Sequence, residues 1–252
     1  MALARNAVRI ADAATAAALA ARPLASAADR ARHDRMRSAR ARTGFAATRA
    51  LAADMLRERG IPEPQGIRAD PRGRPFLPPS CGLSISISHT DTWVAVALAA
   101  DDRCGVDVQS PLDPRAFTRA VLQRYLPPGW ADALADGGDA AAPATLTRMW
   151  ATVEAALKWR GTGFAHGLDV LRWEADGIRT LVHDDEAGRS ARVDARRLPD
   201  GSVLAHAFDP PADAVDVHVA VHVAIDSPSP GARHDSRCAP TPAPTPAEGR
   251  PT

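Results

Sequence analysis

Three short apolar segments follow one another within residues 83–109, and each has the length and pattern of a β-strand. The first, LSISISH, alternates apolar and polar residues; the second, WVAVALA, is apolar throughout; the third, CGVDVQ, carries a single acid among apolar residues. Segments of six or seven residues with a period of two, or with a continuous apolar run, are typical of strands. The centre of the chain therefore predicts a sheet.

Helical patterns lie on both sides of these strands. Residues 26–60 predict one or two helices that end at Gly60, before Pro62, and residues 115–125 and 144–160 predict two more. One strand is predicted before them, at AVRIAD, and four after Gly161, at LDVLRWEA, SARVDARRL, VLAHAFD and VDVHVAVHVAID. Gly161 itself fits a helix C-cap better than a phosphate loop. This order predicts an α+β fold of two similar units joined near residues 100–105. The Pro/Ser/Thr/Ala-rich residues 227–252 predict a disordered tail.

Charge and composition exclude several classes of protein. A formal net charge of +1 gives no basic field of the kind that nucleic-acid-binding proteins carry. No run approaches the ~18–20 apolar residues of a membrane span. The three cysteines form no CxxC pair, and the N-terminal region has no signal-peptide pattern. We therefore expect a cytoplasmic protein that binds neither nucleic acid nor membrane.

Lys158 is the only lysine of the sequence, and the other 30 of its 31 basic residues are arginine. It follows Glu154 by four residues on a predicted helix. One interpretation is a surface ion pair of about 0.2–0.5 kcal/mol, although arginine would serve nearly as well there. The other is a phosphate-binding site, since lysine offers a compact point charge.

Asp107 lies on an apolar strand, and Gln109, two residues on, shares its face. A carboxylate in such a segment needs a partner, water or a metal. Asp107 and Glu154 together would suit Mg²⁺, which uses one or two carboxylates and takes other ligands from water and phosphate. His89, at the end of SISISH, fits either a turn residue or an anion ligand.

Three motifs in order resemble the Sfp-type 4′-phosphopantetheinyl transferases. They are a strand ending in Ser-His (SISHTDTW), a Gly-Val-Asp strand (GVDVQ), and a helix related to Trp-x-x-Lys-Glu-Ala-x-x-Lys (WATVEAALK). The arginine-rich helical region upstream and the turn RGRPFL are also similar to that family. The resemblance covers residues 25–175.

The resemblance implies two pseudo-symmetric α+β halves, residues 1–103 and 104–226, each a small antiparallel sheet with helices. It implies transfer of the phosphopantetheine arm of coenzyme A, with Mg²⁺, to a serine of an acyl or peptidyl carrier protein. By position, Asp107, Gln109 and Glu154 would hold the metal. Ser88, His89 and Lys158 would hold the diphosphate, and Arg49 and Arg74 the adenosine end with its 3′-phosphate. The internal pseudo-symmetry would make a monomer sufficient.

The chain also departs from the family pattern. Val153 stands where the helix motif has its first lysine, and Gln109 where members often carry a third carboxylate. Trp130 stands near the place of a proposed base, and Asp132 is the nearest acid. An alternative function is therefore a divergent protein of this fold that has lost transfer and binds a carrier protein or coenzyme A, or catalyses another step in a natural-product pathway.

Overall fold

A computed structural model describes most of the chain. The described residues are 5–61, 67–70, 73–100, 103–136, 138, 141–166, 168, 170–176, 179–210 and 215–220. The helices are α1 Ala13–Ala20, α2 Ala27–Arg35, α3 Ala39–Glu58, α4 Arg119–Tyr125, α5 Trp130–Asp136 and α6 Ala142–Arg160. The strands are β1 Asn6–Asp12, β2 Arg68–Ala69, β3 Pro75–Phe76, β4 Ser84–His89, β5 Trp93–Ala99, β6 Cys104–Gln109, β7 Arg172–Asp176, β8 Arg179–Asp184, β9 Arg189–Arg197, β10 Val203–Phe208 and β11 Val215–Ala220. The predicted tail, residues 227–252, lies outside the described residues.

The strands form two main sheets, so the fold is α+β as predicted. The first sheet has the order β11-β1-β5-β4 and the second the order β6-β10-β9-β8-β7. The pairings are antiparallel except that β1 and β11 run parallel. The sheets are therefore antiparallel as expected, apart from this one parallel pair in the first sheet. The short strands β2 and β3 pair as a separate two-stranded sheet.

The edges of the two sheets meet where β4 lies beside β6. The hydroxyl of Ser86 on β4 accepts a hydrogen bond from the backbone N–H of Val106 on β6, at 3.0 Å. Ser84, Ser86 and Ser88 alternate along β4 and share one face, because strand side chains alternate. The opposite face carries Ile85, which packs in the apolar core beneath α3. The alternation in SISIS thus separates a polar seam from a core.

Two helices cover the two sheets. Buried apolar residues of α3 pack on β1, β4 and β5, and buried residues of α6 pack on β8, β9 and β10. A third cluster, which includes Val8, Val106 and Leu204, fills the space between the sheets. Gly161 ends α6 in the left-handed conformation, with φ of +88°, and its N–H donates to Leu157 O at 2.8 Å. The C-cap predicted there is confirmed.

Some elements were not predicted. The helices α1 and α5 and the strand β8 were missed, whereas β1, β4, β5, β6, β9, β10 and α6 lie where the sequence predicts them. The sequence of α1 is almost all alanine, so it lacks the apolar periodicity on which a prediction depends. Among the described residues, no helix is both long and apolar enough to cross a membrane.

His206 on β10 makes the stability of the fold depend on pH. The side chain is 7% exposed, and burial lowers its pKa from 6.5 to about 4. The folded state disfavours the charged imidazole. Above pH 6.5 the neutral form therefore costs the fold no stability, and as the pH falls toward 4 protonation in the unfolded state lowers the free energy of unfolding. We expect the free energy of unfolding to fall by about 3 kcal/mol over that range through this group alone.

Urea unfolding of the wild type and of His206→Leu at pH 7, 5.5 and 4 checks this expectation. The difference in stability between the two proteins should shift in favour of the variant as the pH falls. Parallel pH profiles would show that the histidine does not titrate as its burial implies.

Candidate functional site

Asp107 is the buried carboxylate around which the candidate site is built. The residue is 5% exposed. Its Oδ1 accepts hydrogen bonds from Ser88 Oγ at 2.8 Å and from Lys158 Nζ at 2.7 Å. Its Oδ2 is buried and has no hydrogen-bond partner in the described part of the chain. Since an unpaired buried carboxylate oxygen is costly, this atom is suited to a further ligand.

Gly105 allows α6 to pack directly on the strand that carries Asp107. The two residues share one face of β6. A Cβ at Gly105 would overlap the carbonyl oxygen of Ala155 and lie 2.7 Å from the backbone nitrogen of Trp159. Both atoms belong to the backbone of α6, so no side chain could move aside to make room. This close approach lets Lys158 reach Asp107.

Glu154 precedes Lys158 by one turn on α6, so the two side chains lie on one face of the helix. Burial raises the pKa of Glu154; the charge of Lys158 opposes this effect, and the charge of Asp107 adds to it. The interactions place Glu154 within electrostatic reach of both residues. Burial and the charge of Asp107 therefore disfavour the ionised form of Glu154, and a cation near the two carboxylates would offset this effect.

His89, at the end of β4, is a further residue of the candidate site. The residue as a whole is exposed, but one face of its ring lies against α3. A Cβ on Gly44 of α3 would be 2.9 Å from the ring Cγ. Partial burial, and then the charges of Lys158 and Arg40, lower the pKa of His89. The imidazole is held neutral beside the ammonium group, and one ring nitrogen is a donor. Gly44 is thus a residue that sequence reasoning missed.

The two carboxylates fit one magnesium ion. Mg²⁺ is bound in proteins by one or two carboxylates, with water and phosphate as the other ligands. Asp107 offers its unpaired Oδ2, and Glu154 offers a carboxylate close to that negative charge. In the described ranges, no group of three or more His, Cys, Asp or Glu side chains is arranged to hold a metal. The described residues thus bring two carboxylates within electrostatic reach of each other, and no third acidic side chain joins them there.

Gln109 and Arg74, two further predicted ligands, make other contacts. The amide nitrogen of Gln109 donates to the backbone oxygen of Ser110 at 3.1 Å, at the end of β6. The guanidinium of Arg74 packs against the backbone of Gly161, at the C-terminus of α6. Gln109 shares the face of Asp107, but its amide is turned to its own backbone.

Arg49 lies in a separate pocket between α2, α3 and the β2–β3 region, which we call the α3 pocket. It has a volume of about 630 Å³ and is lined by Ser26, Ala28, Asp29, Arg32, Arg35, Arg49, Ile67, Arg68, Ala69, Pro78 and Ser80. Arg49 Nε donates to Asp29 at 3.1 Å, and its guanidinium lies 4.5 Å from the ring centre of Phe45. Among the described residues, four arginines and one aspartate line the pocket, and Arg74 is not one of them.

Burial lowers the pKa of Arg49, although Asp29 opposes this and Arg32 adds repulsion. The guanidinium is thus fixed in place at an electrostatic cost that a bound anion would relieve. The resemblance had assigned Arg49 to the adenosine end but had not singled out Arg32, Arg35 or Arg68, which line the same pocket. Their only signal is the high arginine content of the region, which does not tell one arginine from another.

The positions where the chain departs from the family pattern have clear structural surroundings. Val153 is fully buried in the core between α6 and the second sheet. Trp130 packs edge-on against Trp173, with ring centres 5.8 Å apart. Asp132 forms an exposed ion pair with Arg119 at 2.6 Å. Val153 and Trp130, two of the departures, thus have packing roles, and Asp132, the acid nearest to the place of the proposed base, is paired at the surface.

Asp200 connects the second sheet to the hairpin that carries His89. It lies in the β9–β10 turn and accepts hydrogen bonds from Thr92 Oγ1 and Trp93 Nε1, each at 2.9 Å. The backbone N–H and hydroxyl of Ser202 also donate to it, each at 3.0 Å. These hydrogen bonds lower the pKa of Asp200 against the opposing effect of burial. The link spans about 110 residues, so the sequence carried no signal for it.

Comparison with known proteins does not identify the chain. No protein-family model matches it, and no curated protein matches its sequence. The features that point to a function are therefore the arrangement of Asp107, Glu154, Lys158, Ser88 and His89 and the α3 pocket.

Proposed function

We propose that the protein transfers the phosphopantetheine arm of coenzyme A to a serine of an acyl or peptidyl carrier protein. The observation that carries the proposal is the buried Asp107, shared by Ser88 and Lys158 through one oxygen and unpaired at the other. Glu154 stands beside it. A carboxylate pair with one lysine suits a diphosphate bound through a divalent cation.

The proposal includes the architecture of two related halves, residues 1–103 and 104–226, with the substrate between them. The junction of β4 and β6 supports it, since the candidate residues come from β4, β6 and α6 and so from both proposed halves. The boundary at 103/104 would fall immediately before β6 begins at Cys104. A monomer would contain a complete site.

The α3 pocket is the proposed site for the adenosine 3′-phosphate end of coenzyme A. Its four arginines include the buried Arg49, whose guanidinium is held by Asp29 and lies over the ring of Phe45. Arginine presents a planar array of donors that matches phosphate oxygens. Its volume of about 630 Å³ is within the usual range of ligand pockets.

In the reaction, the serine hydroxyl oxygen attacks the phosphorus next to the pantetheine arm. A new O–P bond forms, the diphosphate P–O bond breaks, and adenosine 3′,5′-bisphosphate leaves while the hydroxyl proton passes to water. Negative charge shifts onto the leaving phosphate, so fixed cations and donors at that position lower the barrier. Lys158 supplies the ammonium group, and neutral His89 supplies an N–H.

Asp107 and Glu154 would hold Mg²⁺, which when bound polarises the phosphoryl oxygens and neutralises their charge. The protein residues fix this arrangement beforehand. Ser88 and Lys158 orient the carboxylate of Asp107, and the packing of α6 on Gly105 sets the position of Glu154. Docking of the carrier supplies the serine in line with the breaking bond.

Mass spectrometry tests the proposed function. Apo carrier protein incubated with the protein, coenzyme A and Mg²⁺ should gain the mass of one phosphopantetheine group. The gain in mass should require Mg²⁺, because without the ion the two carboxylates would face the negatively charged diphosphate with no cation between them. An unchanged carrier mass across several acyl and peptidyl carriers would overturn the proposal.

A further inference from the structure

Gly44 lies in the interior of α3, five residues after the helix begins at Ala39. It is the one glycine within the α-helices of the described chain, and it is buried. Its φ lies outside the left-handed region, so its backbone conformation does not require a glycine. Within a helix, glycine is less favourable than any residue except proline. The helix itself therefore gives no reason for a glycine at this position.

The imidazole of His89 lies directly against this position. A Cβ on Gly44 would be 2.9 Å from the ring atoms Cγ and Nδ1 and 3.2 Å from Cδ2. These are the three nearest atoms, and all of them belong to His89. Since non-bonded carbon atoms pack best at about 3.5–4.0 Å, no side chain at position 44 can share this space with the ring. The ring that packs on the helix thus explains the glycine.

The β4–β5 turn that follows His89 is held by two contacts besides the strand pairing. Arg40, in the first turn of α3, forms an ion pair with Asp91. Asp200, in the β9–β10 turn, accepts a hydrogen bond from Thr92 at 2.9 Å. The backbone next to His89 is therefore fixed, whereas the residue itself reaches the surface. A Cβ on α3 would displace the ring and leave the strand in place.

The position of this ring bears on the candidate site. Burial, and then the charges of Lys158 and Arg40, lower the pKa of His89, so the ammonium group of Lys158 lies within electrostatic reach of the imidazole. No hydrogen bond from the described residues contributes to that pKa. The ring atoms nearest to α3 include Nδ1 but not Nε2. The contact with Gly44 therefore directs Nε2 away from α3.

We propose that Gly44 is a positioning residue for the transfer reaction, because its bare backbone holds the imidazole of His89 where the ring can donate to the diphosphate of coenzyme A. This inference rests on the proposed function and adds to it a residue that touches no substrate. Gly44 acts only through His89. Misplacement of a group by about 1 Å can lower a rate by about 10²-fold. One methyl group added to α3 is therefore enough to slow transfer.

Gly44→Ala should lower kcat by about 10- to 100-fold, up to the loss caused by His89→Ala. Its Tm should not fall, because alanine is the better helix former and the displaced ring moves to solvent. In the His89→Ala background, the same substitution should leave the remaining rate unchanged and raise the Tm, since the ring that the methyl group would meet is gone. Steady-state kinetics and thermal unfolding of the wild type, the two single variants and the double variant measure these effects.

Reaction with diethyl pyrocarbonate, which modifies neutral imidazole, measures access to the ring directly. At about pH 7.5 the imidazole of His89 is mainly neutral whether it is packed or exposed. The rate of its modification, followed by peptide mass spectrometry, should rise severalfold in Gly44→Ala. Thr43→Ala is the matched control, because Thr43 is an exposed neighbour on α3 and its replacement gives the same kind of gain in helix preference. This control should change neither the modification of His89 nor kcat.

The possible results separate this inference from the proposed function. If the wild type transfers and Gly44→Ala keeps the full rate, or lowers it equally with and without His89, the positioning role is overturned and transfer stands. If the wild type transfers nothing, the modification of His89 still decides: a faster reaction in Gly44→Ala supports the positioning of the ring, and a rate equal to that of Thr43→Ala overturns it. A fall in Tm in the His89→Ala background would also overturn it, because Gly44 would then pack on another group.

Discussion

Gly105→Ala is expected to destabilise the protein by at least about 3 kcal/mol, at the upper end of the cost of overpacking a core. The added methyl group would overlap the Ala155 carbonyl oxygen and lie 2.7 Å from the backbone nitrogen of Trp159. Relief requires α6 to move away from β6, which would separate Lys158 from Asp107. Urea unfolding measures the loss, and coenzyme A binding should weaken under conditions where the variant is still folded.

Gly60→Ala is the matched control for this substitution. Gly60 has φ of +71°, and a Cβ there would meet no atom within 4 Å. Its replacement should therefore cost only the strain of the left-handed conformation, about 1–2 kcal/mol. If the two variants lost equal stability, close packing of α6 on β6 would not be what holds these elements together. The control also separates loss of the site from a general loss of stability.

Local pattern was enough to predict the elements that carry the site. The period of two in β4 and β6, and the helical pattern of α6, are properties of neighbouring residues. The same patterns placed Ser88, Asp107 and Lys158 at defined positions on those elements, and the structure brings these three side chains into contact. The position of Glu154 could be predicted from that of Lys158, because residues four apart share a helix face.

Contacts between distant residues could not be predicted in this way. The parallel pairing of β11 with β1 depends on the path of the whole chain, and the interaction of Asp200 with Thr92 joins two turns far apart in sequence. Gly105 gave no local signal either, because its role depends on the helix that packs on it some 50 residues later. Arg32, Arg35 and Arg68 could not be told apart from the other arginines of the sequence, and only the fold brings them to the pocket of Arg49.

Glu154→Gln is expected to lower the rate of transfer by about 10²–10³-fold or more, the range found when a group that stabilises transition-state charge is removed. The protein should nevertheless fold at least as stably as the wild type. Burial and the charge of Asp107 raise the pKa of Glu154. Because a raised pKa means that the folded state favours the protonated form, ionisation of Glu154 weakens the fold as the pH rises above 4.5. A neutral amide of similar shape removes that effect.

Thermal unfolding with and without Mg²⁺ separates this account from a purely structural role. The ion should raise the Tm of the wild type, because a ligand that binds only the folded state stabilises it. It should leave the Tm of Glu154→Gln nearly unchanged. The stabilisation of the wild type should also grow with pH, since protons compete with the metal for Glu154. A variant that kept both the Mg²⁺ response and transfer would show that Glu154 is not a metal ligand, and Asp107 would then need another partner for its buried Oδ2.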